Sequence, residues 1–236
     1  MSSPLFRYDP AVVERFPGVV GGVIHATGVR NGPTPAPLLA AFEAEQAAAI
    51  ARIGETPLSE LPSIAAWRRA FRGFGVDPTG YRSAGEALLR RLTKRGSIPS
   101  INALVDLGNL VAIRYALPVA IFDRRALTGA ITVRFASGDE AFTDLGSGAS
   151  ESPEPGEVVF VDEAGGVCAR RWCWRQSAES AAGQETPEIL VTVEGQHETA
   201  AEDVAAARRD LEALLRTYAL PAEITAGTVD TRNPAF

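Results

Sequence analysis

Apolar positions in this 236-residue chain follow helical spacing through much of the first half and alternate in short runs thereafter. An early exception is GVVGGVIHATGV at 18–29, loosely alternating and rich in valine and glycine, which predicts a strand with a kink. After the turn-rich stretch Asn31–Pro37, residues 38–53 read as an alanine-rich helix with Leu38, Leu39, Phe42, Ile50 and Ile53 as inward candidates. A second helix near Ser63–Phe71 carries Trp67 and Phe71 on one face. Ser83 and Glu86 match a capping box, each side chain satisfying the other's exposed N–H, and Gly96 ends the helix they open. A fourth helix runs from Ser100 to the stop at Pro118.

Strands are predicted at 119–122, 130–135, 157–161, 167–174 and 188–193, separated by Gly-, Ser- and Pro-rich turns, the most open at Gly146–Gly156. Thr199 and Glu202 form a second capping box before a helix ending near Tyr218. Residues 222–229 add a last strand, and the tail 231–236 is expected to be loose. Helices followed by a block of strands imply an α+β fold with mixed sheets and packed helices, not a regular βαβ series. The length suits one folded unit spanning 1–236.

Composition narrows the function classes. Hydrophobic residues make up 46% and charged residues 22%, the balance of a globular protein. A net charge of −6 argues against wholesale coating of nucleic acid but leaves room for a local basic patch. Cys168 and Cys173 are five apart in a predicted strand, on opposite faces, so they are not expected to pair, and no zinc-type cluster occurs. Met1–Pro10 lacks a secretory pattern, and no apolar run approaches the ~20 residues of a spanning helix. A cytoplasmic address without membrane contact is the expectation. No G-x-G-x-x-G, Walker or G-x-S-x-G motif is present, and neither a metal nor an organic cofactor is indicated.

Four features could carry chemistry. In SINALVDLGNLVAIRYAL, Leu104, Leu107, Leu110, Val111 and Tyr115 cover a broad face, leaving Asn102, Asp106 and Asn109 as a polar stripe on a helix otherwise apolar enough to be buried. Such groups are either hydrogen-bonded in a structural knot or face a wet cavity, because an unsatisfied buried amide costs ~1–3 kcal/mol. In CARRWCWRQ at 168–176, alternation puts Cys168, Arg170, Trp172 and Trp174 on one face, where the tryptophans either frame a flat ligand or pack on a helix. Arg82, Arg90, Arg91, Lys94 and Arg95 surround the third helix and include the chain's one lysine. They suit phosphate contacts or a solvated helix end equally. Glu140, Glu157, Asp162 and Glu194 are strand-end candidates for a general base, whereas His197 is expected to be exposed in a polar turn.

The order of these pieces resembles a known family, the B3/B4 domain of the bacterial phenylalanyl-tRNA synthetase β subunit and its free-standing relatives. The residues that carry the resemblance are SAGEALLRR at 83–91, IPSINALVDLGNLV at 98–111, LPVAIFD at 117–123, GEVVFVD at 156–162 and CARRWCWRQS at 168–177. Loosely, the likeness covers 16–220.

In the synthetase this domain hydrolyses tyrosine misattached to the phenylalanine tRNA. The resemblance implies a mixed α/β fold, a pocket bordered by the Asn102–Asn109 helix, and binding of an aminoacylated tRNA 3′ end. Carried over by position, Asn109 matches a pocket asparagine and Glu194 falls near a pocket glutamate, the two expected catalytic groups. Asn102 and Asp106 would help hold the substrate, Trp172 or Trp174 would wall the pocket or stack on the terminal adenine, and Arg90, Arg91, Lys94 and Arg95 would meet tRNA phosphates. Ala120 stands where the synthetases tend to have a histidine. Two functions follow as expectations: a trans-acting deacylase of mischarged tRNA, or a non-catalytic module binding a free amino acid or the tRNA end.

Overall fold

The computed structural model describes residues 3–236. The helices are α1 (Pro10–Arg15), α2 (Ala36–Ile53), α3 (Pro62–Gly73), α4 (Ala84–Arg95), α5 (Ala103–Tyr115) and α6 (Ala200–Tyr218). The strands are β1 (Phe6–Tyr8), β2 (Val20–Thr27), β3 (Val119–Asp123), β4 (Ile131–Phe135), β5 (Phe142–Thr143), β6 (Ser150–Glu151), β7 (Val158–Val161), β8 (Val167–Arg170), β9 (Arg175–Gln176), β10 (Glu188–Gly195) and β11 (Glu223–Val229). They form a five-stranded sheet in the order β1-β4-β7-β8-β9, a four-stranded sheet in the order β11-β2-β10-β3, and the β5-β6 pair. Only β1 and β4 run parallel in the five-stranded sheet, which makes it mixed, and the fold is α+β as expected.

The four-stranded sheet divides the interior. Side chains alternate across a strand, so Ile189, Val191 and Val193 on β10 and Ile121 on β3 face α2, α5 and α6. There they join Leu38, Phe42, Leu107, Leu110, Leu211 and Leu215 in one apolar cluster. Leu190 and Phe122 point the other way, toward the five-stranded sheet, and meet Tyr8, Trp67, Ile131, Phe160 and Trp172. Strand β10 is central, antiparallel to β2 and β3, with Glu194 opposite Gly21 and Thr192 opposite Ala120.

Several local expectations are corrected. In the first capping box, Ser83 Oγ accepts from Glu86 N, but the Glu86 carboxylate turns instead to Arg68, 2.6 Å away. The second box does not form. Thr199 donates its hydroxyl to Asp203, and His197 Nε2 lies 2.7 Å from the same carboxylate, so that histidine is buried and not exposed. On α2, Ile50 faces solvent while Gln46 is buried, exchanging two hydrogen bonds with the backbone of Ile98. The strand expected at 167–174 stops at Arg170, because Arg171 and Trp172 adopt left-handed backbone conformations. The tail expected to be loose is tied down beside β1: the Phe236 carbonyl accepts from Leu5 N and Phe6 N, and Pro234 O accepts from Tyr8 N. That N-terminal strand had no signal in the alternation because it is only three residues long.

Candidate functional site

The polar stripe of α5 is a structural knot over its first turn. Asn102 caps the helix by accepting from Val105 N. Asp106, fully buried, accepts from Thr34 Oγ1, Ser100 Oγ and Ile101 N, which pins two loops to the helix. Asn109 is half-buried and has no hydrogen-bond partner among the described residues. Helix α5 packs on the β3 face that carries Val119 and Ile121, against which Gly108 lies. Ala120 points to the opposite face, and none of Asn102, Asp106 and Asn109 lines the cavity that Ala120 borders, contrary to expectation. Asp106→Ala should therefore cost about 3 kcal/mol or more by stranding three donors, and Asn109→Ala under about 1 kcal/mol. Urea melts of the two variants check this.

A cavity of about 60 Å³ lies on the other side, between the two larger sheets. Its walls come from α4 (Ala84), β3 (Ala120), β10 (Thr192 and Glu194), β9 (Gln176) and the loop Trp172–Trp174. The loop is placed by a buried ion cluster. Arg170 makes two 3.0 Å bonds to Glu157 and one of 2.6 Å to Glu151, and Glu157 also accepts from Arg171 N. Arg171 and Trp172 then take φ values of 45° and 61°, a conformation costing ~1–2 kcal/mol per non-glycine residue. The turn drives Trp172 into the core, with its ring centroid 5.1 Å from Phe16 and 5.2 Å from Trp67.

Glu194 is the chemical centre of this cavity. Tyr8 donates its hydroxyl to Glu194 Oε1 at 2.6 Å and Trp172 Nε1 donates to the same oxygen at 3.1 Å. Oε2 has no hydrogen-bond partner among the described residues, although the residue is 2% exposed. Burial pushes the carboxyl up to about 7, while the two hydrogen bonds pull it back. Gly21 makes room for this arrangement, since a Cβ there would stand 2.6 Å from the Tyr8 hydroxyl. Cys173 also lines the cavity, and burial holds its thiol well above the ordinary range, so it is no nucleophile at neutral pH. The other acidic candidates are committed elsewhere. Burial works against the charge on Glu140, yet Ser137 N, Gly138 N and Arg134 bring it down to about 2. Glu157 belongs to the Arg170 cluster, and Asp162 accepts backbone N–H groups in turns.

At its mouth the cavity meets the basic face of α4. Trp174 and Arg175 line both the cavity and a broader cleft of about 680 Å³ bordered by Arg82, Arg90, Arg91, Lys94 and Arg95. The last four are exposed and take part in no ion pair among the described residues. Trp174 meets two guanidinium groups, with Arg171 and Arg175 at 4.5 and 4.6 Å from its ring centre. The indole already carries two cation–π contacts, with which stacking on a base would compete.

The B3/4 domain model matches residues 66–214, more than half of the chain. The chain belongs to the B3/4 domain family. It is 32% identical over 95 residues to the phenylalanine–tRNA ligase beta subunit of Shewanella oneidensis, a stretch covering 40% of this chain and 12% of that subunit. With the corresponding subunit of Photorhabdus laumondii it shares 34% identity over 82 residues, 35% of this chain and 10% of the relative. The B3/4 chain thus aligns with about a tenth of the length of these relatives. An N-terminal fragment of the phenylalanyl-tRNA synthetase beta subunit from Pyrococcus horikoshii superposes with a TM-score of 0.49 at 13% identity, covering 94% of this chain and 50% of the fragment. In the B3/4 chain every cavity-lining residue, from Ala84 to Glu194, falls inside the matched segment, whereas Tyr8 and Gly21 precede it.

Of the residues singled out in the sequence, the fold brings together Ala120, Trp172, Trp174 and Glu194, and places Arg90, Arg91, Lys94 and Arg95 next door. It sets Asn102, Asp106 and Asn109 apart. Sequence reasoning missed Thr192, Gln176 and Tyr8. A hydroxyl two residues before Glu194, in the otherwise apolar ILVTVE, was a usable signal by strand alternation. Tyr8 had none, since its role depends on packing across the two sheets.

Proposed function

We propose that this B3/4 protein receives the aminoacylated 3′ end of a tRNA and hydrolyses the aminoacyl ester in the Glu194 cavity. The observation that carries this reading is continuity: a buried carboxylate with a free oxygen opens, past Trp174 and Arg175, onto a cleft lined by five further cations. Phosphates of the acceptor strand would lie along Arg90, Arg91, Lys94 and Arg95. The ester would enter the cavity, where Glu194 Oε2 takes a proton from a water as its oxygen attacks the carbonyl. The ester C–O bond breaks, the 3′-oxygen of the tRNA regains a proton, and the free amino acid leaves. A carboxyl pushed up to about 7 by burial suits this work, because a general base serves best when its own value lies near the working pH. The kinship with tRNA ligase beta subunits supports the same partner.

Incubating the protein with a panel of mischarged tRNAs and following release of the amino acid tests the reaction. Deacylation of at least one member is expected, with Glu194→Gln slowed about 10²-fold or more. The second reading, a binding module, is favoured by Ala120, which brings no polar group to the cavity wall. It prevails if no tRNA is deacylated. Replacing Arg90 and Arg91 together with alanine should weaken tRNA binding and reduce its salt slope by about 2 under either reading. Filter binding at several salt concentrations measures both, and an unchanged slope would assign these residues to an ordinary solvated helix end.

A further inference from the structure

The cavity's size and its polar lining restrict what it admits. At about 60 Å³ it holds four or so waters at ~15 Å³ each, well under half of the ~150 Å³ cavity that accommodates benzene. Ala84, Pro118 and Ala120 line it with side chains that have no rotamers to swing aside. Its polar lining leaves two side-chain acceptors free. Gln176 spends both amide hydrogens on backbone carbonyls, those of Ile121 at 2.8 Å and Ser180 at 3.2 Å, which fixes the amide and leaves Oε1 free. Glu194 Oε2 is the second free acceptor, and the Thr192 hydroxyl and the protonated Cys173 thiol are lining groups that can donate or accept.

We infer that the cavity binds the ammonium end of a small aliphatic amino acid, held by Gln176 Oε1 and one lone pair of Glu194 Oε2, whose second lone pair remains for the attacking water, and excludes aromatic side chains. The inference rests on the reading of this cavity as the aminoacyl site and names its substrate class. A cation suits two free acceptors better than a hydroxyl does, since an ammonium offers three donors and no acceptor. Around Glu194 the ionisable groups are Tyr8 from β1 and Cys173 from the loop, with Arg175 at the rim paired to Asp144. The walls from α4, β3, β7 and β8 at Ala84, Ala120, Phe160 and Ala169 bring no charge. Binding of a cation should accordingly follow ionisation of Glu194.

Amino alcohols test this without hydrolysis and without tRNA. Titration calorimetry of the full chain with L-alaninol should give binding about tenfold tighter at pH 8 than at pH 6, following a carboxyl near 7. L-phenylalaninol and N-acetyl-alaninol should not bind, the first on size and the second for want of an ammonium. Ala120→Leu, which fills the cavity, should abolish alaninol binding. Equal or tighter binding of phenylalaninol, equal binding of the acetylated compound, or no binding of alaninol at either pH would each overturn the inference. Alaninol binding without any deacylation would sink the hydrolase and leave this assignment standing. Deacylation of an aromatic aminoacyl-tRNA without alaninol binding would do the reverse.

Discussion

Glu194→Gln should make the protein more stable than wild type above pH 7, by about 3 kcal/mol relative to their difference at pH 4. The carboxyl rises from an ordinary value of 4.5 to about 7 in the folded chain, first because of burial. A group whose folded value lies above its unfolded one contributes stability that is complete below the unfolded value and is lost as pH climbs through the folded value. Between about 4.5 and 7 the unfolded chain has released this proton and the folded chain has not, so unfolding gains ground. At 1.36 kcal/mol per tenfold, that interval amounts to about 3 kcal/mol. Glutamine keeps an acceptor oxygen for Tyr8 and Trp172 and has no proton to lose, so the variant should lack this slope. Urea midpoints at pH 4, 6 and 8 measure it. Parallel slopes for the two proteins would mean that Glu194 ionises normally and that the cavity is wetter than its walls imply.

Arg170→Ala should cost about 3–5 kcal/mol, the scale of breaking a buried ion pair on one side. Arg170 is 2% exposed, and its removal leaves Glu157, itself buried, without its two-pronged partner. Glu157 also holds the backbone N–H of Arg171, at the start of the left-handed turn that sends Trp172 inward. Losing the arginine should therefore loosen the turn along with the sheet. Arg170→Lys should recover only part of the loss, since one ammonium cannot reproduce the planar fork that reaches both Glu157 oxygens. Denaturant unfolding gives the cost, and near-ultraviolet circular dichroism reports the packing of Trp172 against Phe16 and Trp67. A loss below about 1 kcal/mol with an unchanged aromatic spectrum would show that the turn holds itself.

Helix and strand positions were legible wherever the apolar period persisted for several turns or pairs. Helices α2 to α6 and strands β2, β10 and β11 fall within a few residues of their expected places. Sequence failed where conformation depends on a single long-range contact. Strand alternation predicted CARRWCWRQ to continue straight, but the strand ends at Arg170, where Glu157, thirteen residues earlier, holds the Arg170 guanidinium and the Arg171 N–H beside a left-handed turn. On α5 the buried polar groups have partners, the helix's own first turn for Asn102 and two loops for Asp106, whereas Asn109 is half-buried without one, and nothing in the sequence separates the three. Glu194 was one of four acidic candidates in the sequence. Its distinction is environmental: it alone among them lines the cavity, with only Tyr8 and Trp172 bonded to its carboxylate.

Cavity and cleft are one site if a charged tRNA is held better than an uncharged one. The decisive measurement is the affinity of the protein for a tRNA carrying a small amino acid through a hydrolysis-resistant amide at its 3′ end, compared with the same tRNA uncharged. The aminoacylated form should bind at least about tenfold tighter, a difference of about 1.4 kcal/mol, and Ala120→Leu should erase the difference while leaving the uncharged affinity intact. Equal affinities in the wild-type protein, with the arginines still contributing, would mean that the cleft meets RNA and that the Glu194 cavity serves something else.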